Sequence, residues 1–172
     1  MNKNKFIGRQ SEMSLFKNKI ETDFFEFGLL YGRRRIGKTM LLREIQRLYP
    51  LNSIYYPANS KGIDSNLKEL SRIIADFFQE PVFFQRYEDI FKYLVKKNYS
   101  EQIIIMIDEF TYLIDDDRSI LTIFQNIIDD PIIKNSSLKL ILSGNHIGMI
   151  EDMISLSQPL FGRATFQKQL HI

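Results

Sequence analysis

The sequence predicts an α/β fold in which a mostly parallel, five-stranded sheet is covered by helices on both faces. Three observations carry this prediction. Short apolar runs alternate along the chain with longer segments of helical period. The apolar runs are continuous rather than alternately apolar and polar, as strands buried on both faces require. Finally, strands and helices follow one another in turn, the pattern that generates parallel sheets through helical crossovers.

Each element has its own justification. "FGLLYG" (27–32) reads as a buried strand, and 38–48 follows as a helix with Leu41, Leu42, Ile45 and Leu48 on one face. "SIYYP" (53–57) is a weaker strand, followed by a helix near 63–79. A helix near 86–97 leads into "QIIIMID" (102–108), the clearest strand in the chain. A helix from about 117 to 129 precedes the strand "LKLILSG" (138–144). A short helix near 147–154 precedes a last strand near 164–170. Asp115, Asp116 and Asp117 fall just before a helical segment, where an Asp caps the first N–H groups. Asp129-Asp130-Pro131 reads as a helix exit. The phenylalanine pairs at 24–25, 77–78 and 83–84 read as packing groups rather than base-stacking platforms.

No internal repeat, low-complexity tract or Pro/Gly/Ser linker divides the 172 residues, so a single domain is expected. Hydrophobic residues make up 44% and charged residues 26%, ordinary values for a globular chain. The net charge of +2, from 23 basic and 21 acidic residues, excludes a wholly basic nucleic-acid binder and leaves room only for a local patch. Without cysteine there is no disulfide framework, thiolate metal site or cysteine nucleophile. The opening "MNKNKFIGRQSEM" lacks the apolar core of a signal peptide, and no apolar run approaches the ~18 residues of a membrane span. A cytoplasmic setting is the expectation.

The segment Gly32-Arg33-Arg34-Arg35-Ile36-Gly37-Lys38-Thr39 fits the pattern G-x-x-x-x-G-K-[ST]. Glycines let the backbone curl so that successive N–H groups converge on phosphate oxygens. Lys38 reaches the outer phosphates, the Thr39 hydroxyl suits magnesium, and the helix that follows adds the positive end of its dipole. The strand before the motif and the helix after it supply the context that a chance match lacks. Downstream, "IIIMIDEF" (103–110) ends a buried strand in Asp108-Glu109. An acid so placed opposite the loop hydroxyl holds the magnesium water shell, a role for Asp108. Its neighbour Glu109 is the candidate general base that deprotonates the attacking water. His146 and His171 have no metal partner at a ligand spacing and receive no chemistry.

These residues and their surroundings resemble the archaeal-type ATPase family within the STAND class of P-loop NTPases, relatives of AAA+ proteins. "FIGRQSEM" (6–13) is similar to the family's opening element, "YGRRRIGKTMLLREI" to its phosphate loop and "IIIMIDEFTYL" to its Asp-Glu strand. "LILSGNHIGMIEDMISLSQPLFGRATFQKQL" (140–170) is similar to its strand-and-glycine segment with a Pro-x-x-Gly-Arg element. The resemblance implies a three-layer P-loop fold of the ASCE type, ATP and Mg2+ as ligands, and hydrolysis of ATP as a switch or motor. It implies that Gly8 and Arg9 lie near the base and ribose, and that the loop from Gly32 to Met40 holds the phosphates. It also implies that Asn145, with Ser143 as the fallback, senses the terminal phosphate. Arg163 would reach transition-state charge in its own or a neighbouring subunit.

The resemblance further implies a protein or nucleic-acid partner and leaves room for a homo-oligomer. Members of the family continue past the fifth strand into a helical lid, commonly a winged helix. This sequence stops at "QKQLHI", so the expectation is a core domain over 1–172 with the base pocket open on one side. Two other readings stand beside it. One is a non-catalytic, nucleotide-gated or nucleic-acid-associated module, suggested by Arg33, Arg34, Arg35, Arg43 and Arg47. The other is a small-molecule kinase, opposed by the Asp-Glu pair and the absence of an arginine-rich substrate lid.

Overall fold

The computed structural model describes residues 8–97 and 102–172; residues 6–7 of the predicted opening element lie outside the described residues. The chain runs α1 (Gln10–Ile20), β1 (Glu26–Tyr31), α2 (Lys38–Leu48), β2 (Ser53–Pro57), α3 (Ile63–Phe78), α4 (Tyr87–Lys97) and β3 (Ile104–Asp108). It continues through α5 (Thr111–Asp116), α6 (Ser119–Asp129), α7 (Pro131–Lys134), β4 (Lys139–Gly144), α8 (Ile147–Met153) and β5 (Phe166–Gln169). The five strands form one sheet in the order β2-β3-β4-β1-β5. Every pairing is parallel, with Tyr31 opposite Gly144 and Pro57 opposite Asp108. β4 therefore separates the loop-bearing strand from the acid-bearing strand, and all carboxyl ends share one rim.

Period-two alternation divides the strand side chains between two cores. Phe27, Leu29, Ile105, Ile107, Leu140 and Leu142 face a large cluster completed by α3, α4, α6 and α8. Leu30, Ile104, Met106, Ile141 and Phe166 face a smaller cluster with Phe16 and Ile20 of α1 and Leu41, Leu42 and Ile45 of α2. These are the three layers that the continuous apolar runs predict. α2 buries the predicted stripe, except that Leu48, at the helix end, is exposed.

Three helices go beyond the sequence prediction. α1 buries Met13, Phe16 and Ile20, a spacing of i, i+3, i+7 that was legible but short and flanked by polar residues. α5 fills the turn after β3. At Asp129-Asp130-Pro131 the chain does leave one helix, but Asp130 then caps the single turn of α7 by accepting from Ile132 N, with Pro131 at its first position. Of the aspartates at 115–117, Asp117 accepts from Ser119 N and caps the approach to α6, whereas Asp116 accepts from Ile63 N and serves α3. The aromatic groups pack edge-to-face: Phe77 on Phe78, and Phe78 and Phe84 on Tyr93. Phe24 and Phe83 are exposed instead.

The opposite, amino-terminal rim is closed by Lys139. Its side chain is buried, and its ammonium donates to Thr22 O, Thr22 Oγ1 and Phe24 O, fastening the turn before β1. Burial brings that ammonium down to about 8. In the sheet itself Gly28 is required by close approach, because a Cβ there would lie 2.2 Å from the Phe166 ring. Gly28→Ala is expected to destabilise the fold by about 1–3 kcal/mol through overpacking, read as a lower midpoint in urea. Adding Phe166→Leu should recover part of the loss; a single mutant as stable as the parent would contradict the packing shown.

Candidate active site

The phosphate-loop residues are gathered at the carboxyl rim. β1 ends at Tyr31, and the chain turns through Gly32 to Gly37, which takes a left-handed φ of 101° immediately before α2. Only glycine adopts that conformation without cost, and there it lets α2 begin with its free N–H groups facing the loop. Arg33, Arg34 and Arg35 are exposed, and Arg35 has a φ of 64°. Ile36 is half-buried and packs on the smaller core. Lys38 is buried, and its Nζ donates to Gly32 O at 2.8 Å and to Arg33 O at 2.6 Å, which draws the ammonium into the loop. Burial is the main influence on Lys38 and lowers its pKa, while Glu109 and Asp108 oppose the shift.

Thr39 Oγ1 donates to Asp108 Oδ2 at 2.7 Å, joining residues 69 apart in sequence. Asp108 is almost fully buried and accepts three further bonds: Tyr55 Oη at 2.7 Å, Ser143 Oγ at 2.6 Å and Glu109 N at 3.0 Å. Burial raises the Tyr55 hydroxyl well above its ordinary value, with Asp108 adding to the effect, so Tyr55 remains a donor at any working pH. Glu109 follows with a φ of 55°, an arrangement that swings its side chain off the strand direction. Its Oε2 is buried with no hydrogen-bond partner among the described residues. Burial first, and then the Asp108 charge, raise the Glu109 pKa, while Lys38 and Arg34 pull it down.

A cavity of about 410 Å³ brings Lys38, Thr39, Glu109 and Asn145 together, with Arg34, Arg35, Gly37, Met40 and Tyr112 on its walls. Asn145 therefore faces the cavity, whereas Ser143 lies beneath Asp108 and supports it. A neighbouring cavity of about 540 Å³ is lined by Arg9, Arg34, Arg35, Ile36, Gly37, Met40 and Ile172. Arg9 Nη2 donates to Ile36 O at 2.9 Å and His171 O at 2.7 Å, so the expected base-side residue does touch the loop. Gly8 is exposed and turns the chain into Arg9 with a φ of 97°. Arg33 faces a separate recess beside Gln169 and His171.

Arg163 is the predicted site residue that the structure does not bring to the loop. Its guanidinium forms a fork with Asp129, Nε to Oδ1 at 2.9 Å and Nη2 to Oδ2 at 2.7 Å, and Nη1 donates to Phe161 O. The reason is topological. β5 runs parallel to β1, so the residues that enter it sit at the amino-terminal rim, and six residues of strand put roughly 20 Å between the rims. Arg163 is therefore held at the amino-terminal rim by Asp129, away from the loop.

Tyr55 and Tyr112 are site residues that the sequence reading missed. Tyr112 lies one turn beyond Glu109. Tyr55 depends on β2 lying beside β3, which strand order alone reveals.

The chain is 37% identical over 162 residues to an uncharacterized protein of Methanocaldococcus jannaschii, a match covering 93% of this chain and 34% of the relative. In fold it is similar to the Walker-type ATPase of Pyrococcus abyssi, with a TM-score of 0.68 at 21% identity over 94% of this chain and 53% of that one. It is also similar to the ORC2 protein of Aeropyrum pernix in its ADPNP-ADP complexes, with a TM-score of 0.66 at 17% identity over 94% of this chain and 47% of that one. The chain thus spans about a third of the curated relative and about half of each of these structures, and the likeness to the latter is one of P-loop fold. Residues 6–172 match the model of an ATPase domain predominantly from Archaea, and the chain belongs to that family.

Proposed function

We propose that this domain binds ATP with magnesium at the carboxyl rim and hydrolyses it as a STAND-type switch or motor acting on a protein or nucleic-acid partner. The observation that carries the reading is the Thr39–Asp108 contact, at 2.7 Å, with Thr39 sharing one cavity with Glu109, whose buried Oε2 has no partner among the described residues. The donors fit magnesium. They are hard oxygens, and they are few, as suits an ion that keeps its waters and takes phosphate oxygens as ligands. Among the described residues no group of three or more His, Cys, Asp or Glu could hold an ion alone. Thr39 and Asp108 would hold the magnesium, which would neutralise phosphate charge.

The remaining steps belong to the chain itself. The loop N–H groups and the start of α2 bind phosphate oxygens, and Lys38 moves its charge from the loop carbonyls to the outer phosphates. Glu109 accepts a proton from the attacking water, and Asn145 orients that water or the terminal phosphate. Arg9 and Met40 line the cavity for the base and ribose. Arg163 would act on the loop of a neighbouring subunit only by leaving Asp129. A cytoplasmic setting accords with the cysteine-free sequence, and no described helix is long and apolar enough to cross a membrane.

The arginine-patch reading loses most of its residues to other duties. Arg43 stacks on Tyr55, Arg47 pairs with Glu44, and Arg34 and Arg35 wall the phosphate cavity. A kinase reading gains nothing from a carboxylate placed to activate water.

Nucleotide binding and phosphate release, measured together, test the proposal. Lys38→Ala should lose ATP binding, whereas Glu109→Gln should keep it and slow turnover by about 10²–10⁴-fold. Equal turnover in all three proteins would end the catalytic assignment. Because Glu109 works as a base from a raised pKa, turnover should fall as pH drops through a value above the ordinary 4.5. A profile flat down to that value would contradict the assignment.

The same shift has a consequence for stability. A carboxylate with a raised folded pKa carries no penalty below its unfolded pKa and an increasing one above it. Glu109→Gln should therefore raise the melting temperature at neutral pH and give no gain near pH 4. Melting curves at the two pH values provide the check.

A further inference from the structure

The proposed site leaves one of its closest contacts unexplained: the tyrosine on β2. Tyr55 is buried on the α2 side of the sheet, and its hydroxyl donates to Asp108 Oδ2, the same oxygen that accepts Thr39 Oγ1, each at 2.7 Å. Asp108 Oδ1 accepts Ser143 Oγ and Glu109 N. An ionised carboxylate offers about four acceptor positions, and here donors from β2, α2, β4 and its own chain take them. The ring of Tyr55 is itself held from outside, because the Arg43 guanidinium of α2 lies 3.9 Å from its centroid. Arg43 Nη1 in turn donates to Gln46 Oε1, which fixes the guanidinium on the helix surface.

This arrangement determines what Asp108 is able to do. With those positions taken, Asp108 would help hold a metal chiefly by fixing Thr39: the threonine proton points at Asp108, and the lone pairs of the hydroxyl are left for the cation. Turning Asp108 about its χ2 axis would take Oδ2 away from that proton, and the Tyr55 bond to Oδ2 opposes the turn. Partners of metal-site carboxylates commonly control metal affinity in this way, by 10–100-fold.

We infer that Tyr55, clamped beneath Arg43, is a positioning residue that locks Asp108 and Thr39 in the geometry that receives magnesium. The inference rests on the magnesium-ATP reading above. It adds that the metal affinity of the site is set from the second strand and from the outer surface of α2.

The experiment measures ADP and ATP affinity over a magnesium titration, starting in EDTA, on the parent, Tyr55→Phe, Asp108→Asn and the double variant. Tyr55→Phe keeps the ring and its stacking but removes the donor. It should leave affinity in EDTA unchanged and raise the magnesium concentration for half-maximal tightening by about 10-fold. In the Asp108→Asn background the same substitution should have no further effect, because Tyr55 acts through that carboxylate. An unchanged magnesium midpoint in Tyr55→Phe, or an equal loss in both backgrounds, overturns the inference. If Tyr55→Phe fails to fold, Arg43→Met at its exposed position carries the test. It should shift the midpoint in the same direction by about threefold, and no shift overturns the inference. If the parent shows no magnesium dependence, the magnesium-ATP reading falls and takes this inference with it. A dependent parent with an indifferent Tyr55→Phe removes the inference alone.

Discussion

The hydrogen bond between Thr39 and Asp108 is the constraint on which the rest of the site depends. It joins the first turn of α2 to the end of β3, and these elements meet only because β4 lies between β1 and β3 in register with both. Tyr31 opposite Gly144 aligns the loop with the end of β4, and Pro57 opposite Asp108 aligns β2 with the acid. A one-residue slip of β3 against β4 would turn Asp108 to the other face, since strand side chains alternate. The two apolar cores that flank the sheet fix that register and thereby hold a polar contact in place.

Around this bond the fold carries local costs that packing elsewhere offsets. Arg35 and Glu109 have left-handed backbone conformations, which non-glycine residues take at a cost. Glu109 also keeps a buried oxygen without a partner, beside a second carboxylate. Such features persist only where neighbouring structure over-determines them. Here Phe110 N donates to Ser143 O and Tyr112 N to Glu109 O, so the chain on the far side of Glu109 is fixed to β4 and closed into a turn.

What was legible in the sequence was local. The loop glycines, Lys38 and Thr39 occur within one strand–turn–helix unit, and Asp108-Glu109 terminates an apolar run that could hardly be anything but a buried strand. β1, β3 and β4 were recovered for the same reason. The less legible features depend on pairings between distant segments. Tyr55 touches Asp108 only through the β2–β3 neighbourhood, and a tyrosine in "SIYYP" carries no mark of that. Ser143 and Asn145 were both candidates within "SGN"; their different placement follows from the strand end, where Ser143 is buried against Asp108 and Asn145 lies beyond the strand on the cavity wall. Arg163 was placed by motif, and a motif does not say at which rim a strand begins.

The two rims of the sheet show why the site lies where it does. At the amino-terminal rim the polar groups are largely paired with protein: Lys139 binds the turn at Thr22 and Phe24, Arg163 takes both oxygens of Asp129, and Thr165 closes on Phe27. That end is fastened by the chain itself. At the carboxyl rim the chain turns the start of α2, an ammonium held by two carbonyls and an unpaired carboxylate toward one cavity. Buried polar atoms without partners are costly. One, Glu26 Oε2, lies at the amino-terminal rim, where its charge favours the buried Lys139 ammonium, whereas Glu109 Oε2 belongs to a residue that lines the loop cavity. On the proposed reading, a phosphate-bearing ligand would supply the anion that Lys38 and the loop N–H groups lack, and a water the donor that Glu109 lacks.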